Sequence, residues 1–295
     1  MYSKSLYINS IPNNQIIVLV LLLNLLFSCK SLYSDQHYQE LENITIGNGL
    51  TFHPKDDLLL ISKPTDKKSE EGKSLYKIFQ LEFKNGKWCC EKEISFSSDF
   101  NDYHPVFSPD GKWVYFNSDK PIPNSTKQSE KMNIWRVKYN NGNWGVPEYL
   151  TAINTENHES YPTITNDGTL YFNSDREGGK GSMDIYKSEL KQGNFSTPVP
   201  ILALNSIESE NDLVVDPNER FMIFNRYIFE NKEIELFISF NKNGIWSEPK
   251  PVNTINKKNV WELTPTLSPD GIYFLYEIER RIKVQKLSAI LNIKI

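Results

Sequence analysis

The sequence predicts an all-β fold, a β-propeller of about five four-stranded blades, with a sixth left open. Three observations predict it: a turn motif that recurs five times, a second turn motif that keeps step with it, and short aromatic-rich strands between them. The first motif reads His53-Pro54-Lys55-Asp56, Ser108-Pro109-Asp110-Gly111, Thr165-Asn166-Asp167-Gly168, Asp216-Pro217-Asn218-Glu219 and Ser268-Pro269-Asp270-Gly271, at spacings of 51 to 57 residues. The second reads Asn85-Gly86-Lys87-Trp88, Asn141-Gly142-Asn143-Trp144, Gln192-Gly193-Asn194-Phe195 and Asn243-Gly244-Ile245-Trp246, at spacings of 51 to 56. Two independent markers with one period define a repeat, and four strands per repeat of this length match a propeller blade.

The chain begins with an export signal. Lys4 lies in a polar start, and an apolar run follows from Ile16 to Phe27, interrupted by Asn24. As a helix those twelve residues would rise about 18 Å, short of a roughly 30 Å hydrocarbon core, so the run is a signal-peptide core rather than a span. Leu26-Phe27-Ser28-Cys29 resembles the lipobox of bacterial lipoproteins, which implies that Cys29 is lipidated and becomes the new N-terminus. Each buried acyl methylene contributes about 0.8 kcal/mol, so several chains anchor stably. Residues 1–28 are thus expected to be signal peptide, 29–38 a lipidated tether and 39–295 the propeller.

Each repeat resolves into strands A to D. In the second, A is His104–Phe107, B Trp113–Asn117, C Met132–Tyr139 and D Asn143–Leu150. Asp-Gly and Asn-Gly close A–B and C–D because they tolerate positive φ. The strands are rich in Tyr, Phe, Trp, Ile and Val, and prolines sit at strand starts and turns. The final repeat has A to C, Leu263 to Leu287, but no second turn. Its outer strand is expected from Tyr33–Ile46, or else from the tail Ala289–Ile295.

Phe-Ser-Pro-Asp-Gly, an aromatic strand and Asn-Ser-Asp-Lys/Arg, clearest at Phe107–Lys120 and Thr163–Arg176, resemble the TolB-type, WD40-like propeller repeat. The resemblance runs from about Leu50 to Leu287. It implies a blade and an exported, often lipid-anchored, envelope protein, and it assigns no activity.

The other features sort by face. D–A connections and B–C loops share one face, here called the top, and loops of this kind carry binding residues. Three residues before the proline of strand A stand Asp102, Glu159 and Glu262, and Glu210 where Leu213 replaces that proline, while the first repeat has Gly47 at the acidic position; at the end of strand B stand Lys63, Lys120, Arg176 and Arg226. This charged ring either holds a cation or polar ligand, or caps loop amides and pairs between blades. His104 and His158 lie near Asp102 and Glu159 and offer a metal or acid–base cluster.

The loop Asp175–Asp184, with oxygen ligands among glycines, suggests a structural cation such as calcium, but lacks EF-hand or P-loop spacing; no cofactor is otherwise expected. Adjacent strand residues Cys89 and Cys90 should point to opposite faces, which argues against a redox dithiol. Trp88, Trp144 and Trp246 recur at one blade position and are expected to pack.

Composition closes off other classes. A net charge of −4 with interspersed signs provides no basic stripe for nucleic acid, and three cysteines make no disulfide framework. Neither G-x-S-x-G nor H-E-x-x-H occurs. The expectation is a non-enzymatic binding module at the cell envelope, lipid-anchored and on the outer membrane, whose partner is a protein, peptidoglycan or glycan. A carbohydrate hydrolase or lyase with top-face carboxylates is the alternative.

Overall fold

Turn chemistry sets the blades. The computed structural model describes residues 33–291. Each C–D turn places a non-glycine and a glycine at positive φ, as at Asn141 (46°) and Gly142 (85°) or Asn243 (57°) and Gly244 (83°), the type I′ requirement. In the A–B turns the aspartate binds its own loop: Asp110 Oδ1 accepts from Ser108 Oγ (2.7 Å) and Lys112 N (3.0 Å), and Asp270 repeats both bonds with Ser268 and Ile272.

The chain opens with a short helix α1 (Asp35–Gln39) and a 3-10 turn (Glu40–Asn43). Blade 1 is β1 (Leu50–Phe52), β2 (Leu58–Lys68), β3 (Ser74–Lys84) and β4 (Lys87–Glu93); blade 2 is β5 (Asp102–Phe107), β6 (Trp113–Ser118), β7 (Asn133–Asn140), β8 (Asn143–Trp144) and β9 (Glu148–Tyr149). Blade 3 is β10 (Glu159–Ile164), β11 (Leu170–Ser174), β12 (Asp184–Ser188), β13 (Leu190–Lys191), β14 (Asn194–Phe195) and β15 (Val199–Pro200). Blade 4 is β16 (Ser209–Val215), β17 (Phe221–Ile228), β18 (Glu233–Lys242), β19 (Ile245–Trp246) and β20 (Lys250–Pro251). Blade 5 has three strands, β21 (Leu263–Leu267), β22 (Tyr273–Ile278) and β23 (Arg281–Lys286), followed by helix α2 (Leu287–Leu291). The strand pairings are antiparallel and follow chain order as in an up-and-down blade, except that β7, β12 and β18 also pair with the second piece of strand D, β9, β15 and β20. The fold is a five-bladed propeller. Strand D, expected as one run, breaks into two short pieces in blades 2 to 4 because the residue after its aromatic bulges out, as where Gly145 N reaches back to Lys138 O.

The core consists of five apolar clusters, one at each junction between consecutive blades. Leu60, Ile78, Phe107 and Phe116 fill junction 1/2; Tyr115, Ile134, Ile164 and Phe172 fill 2/3; Tyr171, Ile185, Leu213 and Phe224 fill 3/4; Ile223, Ile238, Phe274 and Ile290 fill 4/5. Alternation in strand B supplies both sides: Tyr115 faces blade 3 while Phe116 faces blade 1. Trp88 and Trp246 are buried in these clusters and Trp144 packs against one, as expected.

Junction 5/1 closes the ring, and here the N-terminal segment does the joining. Tyr33, Tyr38, Leu41 and Ile46 are buried among Leu50, Phe52, Trp88, Tyr273, Leu275 and Ile282. Thr45 bridges Arg281, and Ile46 N donates to Arg280 O at 3.0 Å. Polar ties reach both blades: Tyr33 Oη donates to His53 O (2.7 Å), Trp88 Nε1 to His37 O (2.8 Å) and Tyr38 Oη to Asp270 (3.1 Å). Tyr33–Tyr38, expected to belong to the tether, are instead built into the domain. Of the rival tail, residues 289–291 are helical rather than extended, with Ile290 packed into junction 4/5, and residues 292–295 lie outside the described residues. Cys29 and the signal segment lie outside the described residues.

Candidate functional site

The charged ring satisfies itself in three blades. Asp102 lies 3.7 Å from Lys120, Glu159 2.9 Å from Arg176 and Glu210 2.7 Å from Arg226. All three acids are fully buried. Each also caps the loop four residues upstream, accepting from the backbone and hydroxyl of Ser98, Thr155 or Ser206. Arg176 and Arg226 reach on to Ile153 O and Leu204 O, pinning the D–A connections, and Lys120 lies over the Phe116 and Trp135 rings. Of the two readings of the ring, the capping one describes blades 2 to 4. Lys63 pairs instead with Glu91.

The two histidines are not a cluster. His158 Nδ1 accepts from Met132 N in a top loop. His104 is buried edge-on against Tyr161 (5.0 Å), and burial drives its pKa down to about 3. The Asp175–Asp184 loop is knitted by its own groups: Asp184 Oδ2 accepts from Lys180 N and Gly181 N (2.9 and 3.0 Å). Gly179 and Gly181 are steric, since a Cβ on Gly181 would sit 1.9 Å from Glu208 O, whereas Gly178 takes φ 102°. Among the described residues no group of three or more His, Cys, Asp or Glu is disposed to hold a metal.

One polar layer escaped the sequence reading. Strand A bulges after its acid, and His104, Tyr161, Asp212 and Thr264 take positive φ there. Each blade then binds the bulge of the next: Ser62 Oγ accepts from His104 N (3.4 Å), Asn117 Oδ1 from Tyr161 N (3.2 Å), and Asn173 Nδ2 donates to Glu210 O (2.8 Å). Asp212 Oδ2 accepts from Thr264 N (3.1 Å) and Glu277 Oε2 from Asn48 N (3.2 Å), which completes the circle. Burial raises both carboxyls to about 6. The asparagine of the Asn-Ser-Asp motif was the available signal, in register in strand B of blades 2 to 4. Below this layer a cavity of about 380 Å³ runs along the axis, from His104 to the A–B turns at Pro109 and Pro217.

The repeat fails at junction 5/1, and an open site lies there. Gly47 stands where blade 1 should carry its acid; in blade 5 Ile278 stands at the position of Arg226, and Arg280, at the position of Lys120 and Arg176, is exposed. Glu262 is consequently buried with no side-chain donor, and desolvation raises its carboxyl to about 7. Blade 5 turns from β22 to β23 in two residues, Glu279 (φ 49°) and Arg280 (φ 64°), whereas the β2–β3 hairpin of blade 1 extends to Lys68 and Ser74. The step between a short turn and a tall hairpin leaves two adjoining hollows, of about 370 and 500 Å³, which share Tyr76 and Arg280. Trp261 lines the smaller and is 52% exposed, unlike the packed tryptophans of strand D.

No family model and no curated relative matches the sequence. Solved structures do match. TolB from Acinetobacter baumannii shares 15% identity at a TM-score of 0.52, over 82% of this chain and 52% of that one. A protein of Agrobacterium tumefaciens described as TolB gives 13% and 0.52, over 83% and 78%. An α-L-arabinofuranosidase from Lactobacillus brevis gives 12% and 0.55, over 85% and 94%. The chain spans about half the length of the Acinetobacter TolB, 52%. Proteins described as TolB and an α-L-arabinofuranosidase thus share this scaffold, which fixes no activity by itself; the likeness at these identities is one of fold, and in fold the chain is a TolB-like five-bladed β-propeller.

Proposed function

We propose that the chain is a non-enzymatic interaction module, held at the cell envelope by a lipid on Cys29, that engages a protein partner in the top-face groove over blades 5 and 1. The observation that carries this reading is the local failure of the repeat. Elsewhere the top-face charges are consumed by their own blades; at junction 5/1 the pairing lapses and Trp261, Tyr76 and Arg280 line open hollows. Trp, Tyr and Arg are the residues that most often dominate protein interfaces. The placement at the envelope rests on the lipobox-like Leu26–Cys29 segment; among the described residues no helix is long and apolar enough to cross a membrane. A glycoside hydrolase would need two carboxyls converging on an open pocket; Glu277 and Glu279 both line the smaller hollow, but Glu277 is buried and its carboxylate already accepts from Asn48 N between blades.

The test is capture from envelope extracts with the lipidated chain as bait. Trp261→Ala with Arg280→Ala should lower capture of the enriched protein at least tenfold while the melting temperature stays within a degree or two, because both side chains are exposed. Undiminished capture removes the groove from the reading, and turnover of glycan substrates that survives both changes would instead favour the enzyme.

A further inference from the structure

The outer strand of blade 1 departs from the repeat in a way that makes chemistry. After the strand D aromatic, blades 2 to 4 carry Gly145-Val146-Pro147, Ser196-Thr197-Pro198 and Ser247-Glu248-Pro249; blade 1 carries Cys89-Cys90-Glu91. A residue kept in every blade serves the repeat, so a departure is where a separate property is to be sought. Simple alternation would send the two thiols to opposite faces. The structure overturns that expectation: the β3–β4 register shifts between Gln80 and Glu82, and Cys90 takes φ 63°. Such a bulge cancels the alternation. The two sulfurs lie 3.0 Å apart, Cys90 exposed and Cys89 half-buried.

We propose that Cys89 and Cys90 are a redox-labile pair that closes to a vicinal disulfide on meeting a small disulfide donor in an oxidising compartment. The exposed Cys90 thiolate attacks the donor disulfide and releases one thiol, leaving a mixed disulfide on Cys90. Cys89 then attacks the Cys90 sulfur and loses its proton, and the second donor thiol departs with it. One S–S bond is broken and one formed; the protein loses two electrons and two protons, and the donor is reduced to two thiols. Neighbouring Cα atoms lie about 3.8 Å apart across a trans peptide, below the usual span of about 4.4–6.8 Å for a disulfide. The ring is therefore strained, and strained exposed disulfides are the readily reduced ones. Two electrons are thus stored reversibly at the rim of the propeller, next to the Trp88 that holds the N-terminal segment.

The full chain bearing Cys29→Ser leaves this pair as its only thiols. Oxidised glutathione should remove both free thiols and lower the intact mass by two hydrogens, with no adduct retained, and millimolar dithiothreitol should restore both. Cys89→Ser should stop at one glutathione adduct. Two adducts on the intact pair, or a disulfide-linked dimer, overturn the proposal. Phenylarsine oxide gives a second readout: it should bridge the reduced pair once per chain with loss of water, and fail after oxidation. Absence of that bridge in the reduced, folded protein also overturns it.

Discussion

At the scale of single residues, the same acid has opposite consequences in different blades. Glu159 is buried against Arg176 and caps Thr155, so Glu159→Ala strands a guanidinium and uncaps a loop. Removing one partner of a buried pair costs about 3–5 kcal/mol, and a drop of at least 2 kcal/mol in urea unfolding is expected. Glu262 has no such partner, and Glu262→Gln should be neutral or stabilising by about 1 kcal/mol at neutral pH. The pH dependence follows from its raised pKa. The folded state keeps a proton that the unfolded chain releases, so the contribution of Glu262 to stability falls as pH climbs from about 4.5 to about 7. The gain from Glu262→Gln should therefore be absent near pH 4.5 and complete above pH 7; equal losses for both variants would mean that blade 5 has an unseen partner for its acid.

At the scale of elements, the blades were legible because turn chemistry and strand composition are local. Asp110-Gly111 and Asn141-Gly142 announce their turns whatever surrounds them. Register between blades is not local, so the circle from Ser62 to Glu277 could not be read, although its asparagines were in plain view. The Cys89-Cys90 error has the same origin: one bulged residue reverses an alternation argument. Of the candidate site, the loops of the top face were legible and the pairing within the charged ring was not, because pattern shows that a charge recurs and not that it is already spent. The N-terminal segment, expected to close blade 5 as its outer strand, does pack at that junction, but as a short helix and a 3-10 turn with one bridge to β23 rather than as a strand. A chain beginning at Gly49 loses Tyr33, Tyr38, Leu41 and Ile46 from junction 5/1 together with the bridge to β23, and exposed core surface beside an open strand edge invites aggregation. It should melt far below one beginning at Lys30, or aggregate. Ending the chain at Ser288 removes Ile290 from a core, with Leu291 that packs against it, and should cost about 2–4 kcal/mol; a larger loss there than at the N-terminus would show that the tail is the real fastening.

At the scale of the whole molecule, stability is shared around a ring with five apolar junctions and one polar circle, and the polar circle contains groups that titrate in opposing senses. His104 is kept neutral by burial, its pKa lowered to about 3. Between pH 6.5 and 3 the unfolded chain takes up a proton that the fold refuses, so this contribution is whole above pH 6.5 and is lost as the pH falls, at most about 1.4 kcal/mol per pH unit. Asp212 and Glu277, raised to about 6, run the other way: the fold holds protons that the unfolded chain releases, and their contribution is whole below about pH 4 and lost by pH 6. Between pH 4 and 6 the terms oppose each other, which moderates the response of the ring to mild acid. Urea unfolding of wild type, His104→Gln and Asp212→Asn at pH 4, 5, 6 and 7 separates them. The stability of wild type relative to His104→Gln should rise with pH, whereas relative to Asp212→Asn it should fall. Because each difference cancels the titrations common to both proteins, two flat lines would mean that neither group changes its proton affinity on folding, and that the circle is held by hydrogen bonds indifferent to pH.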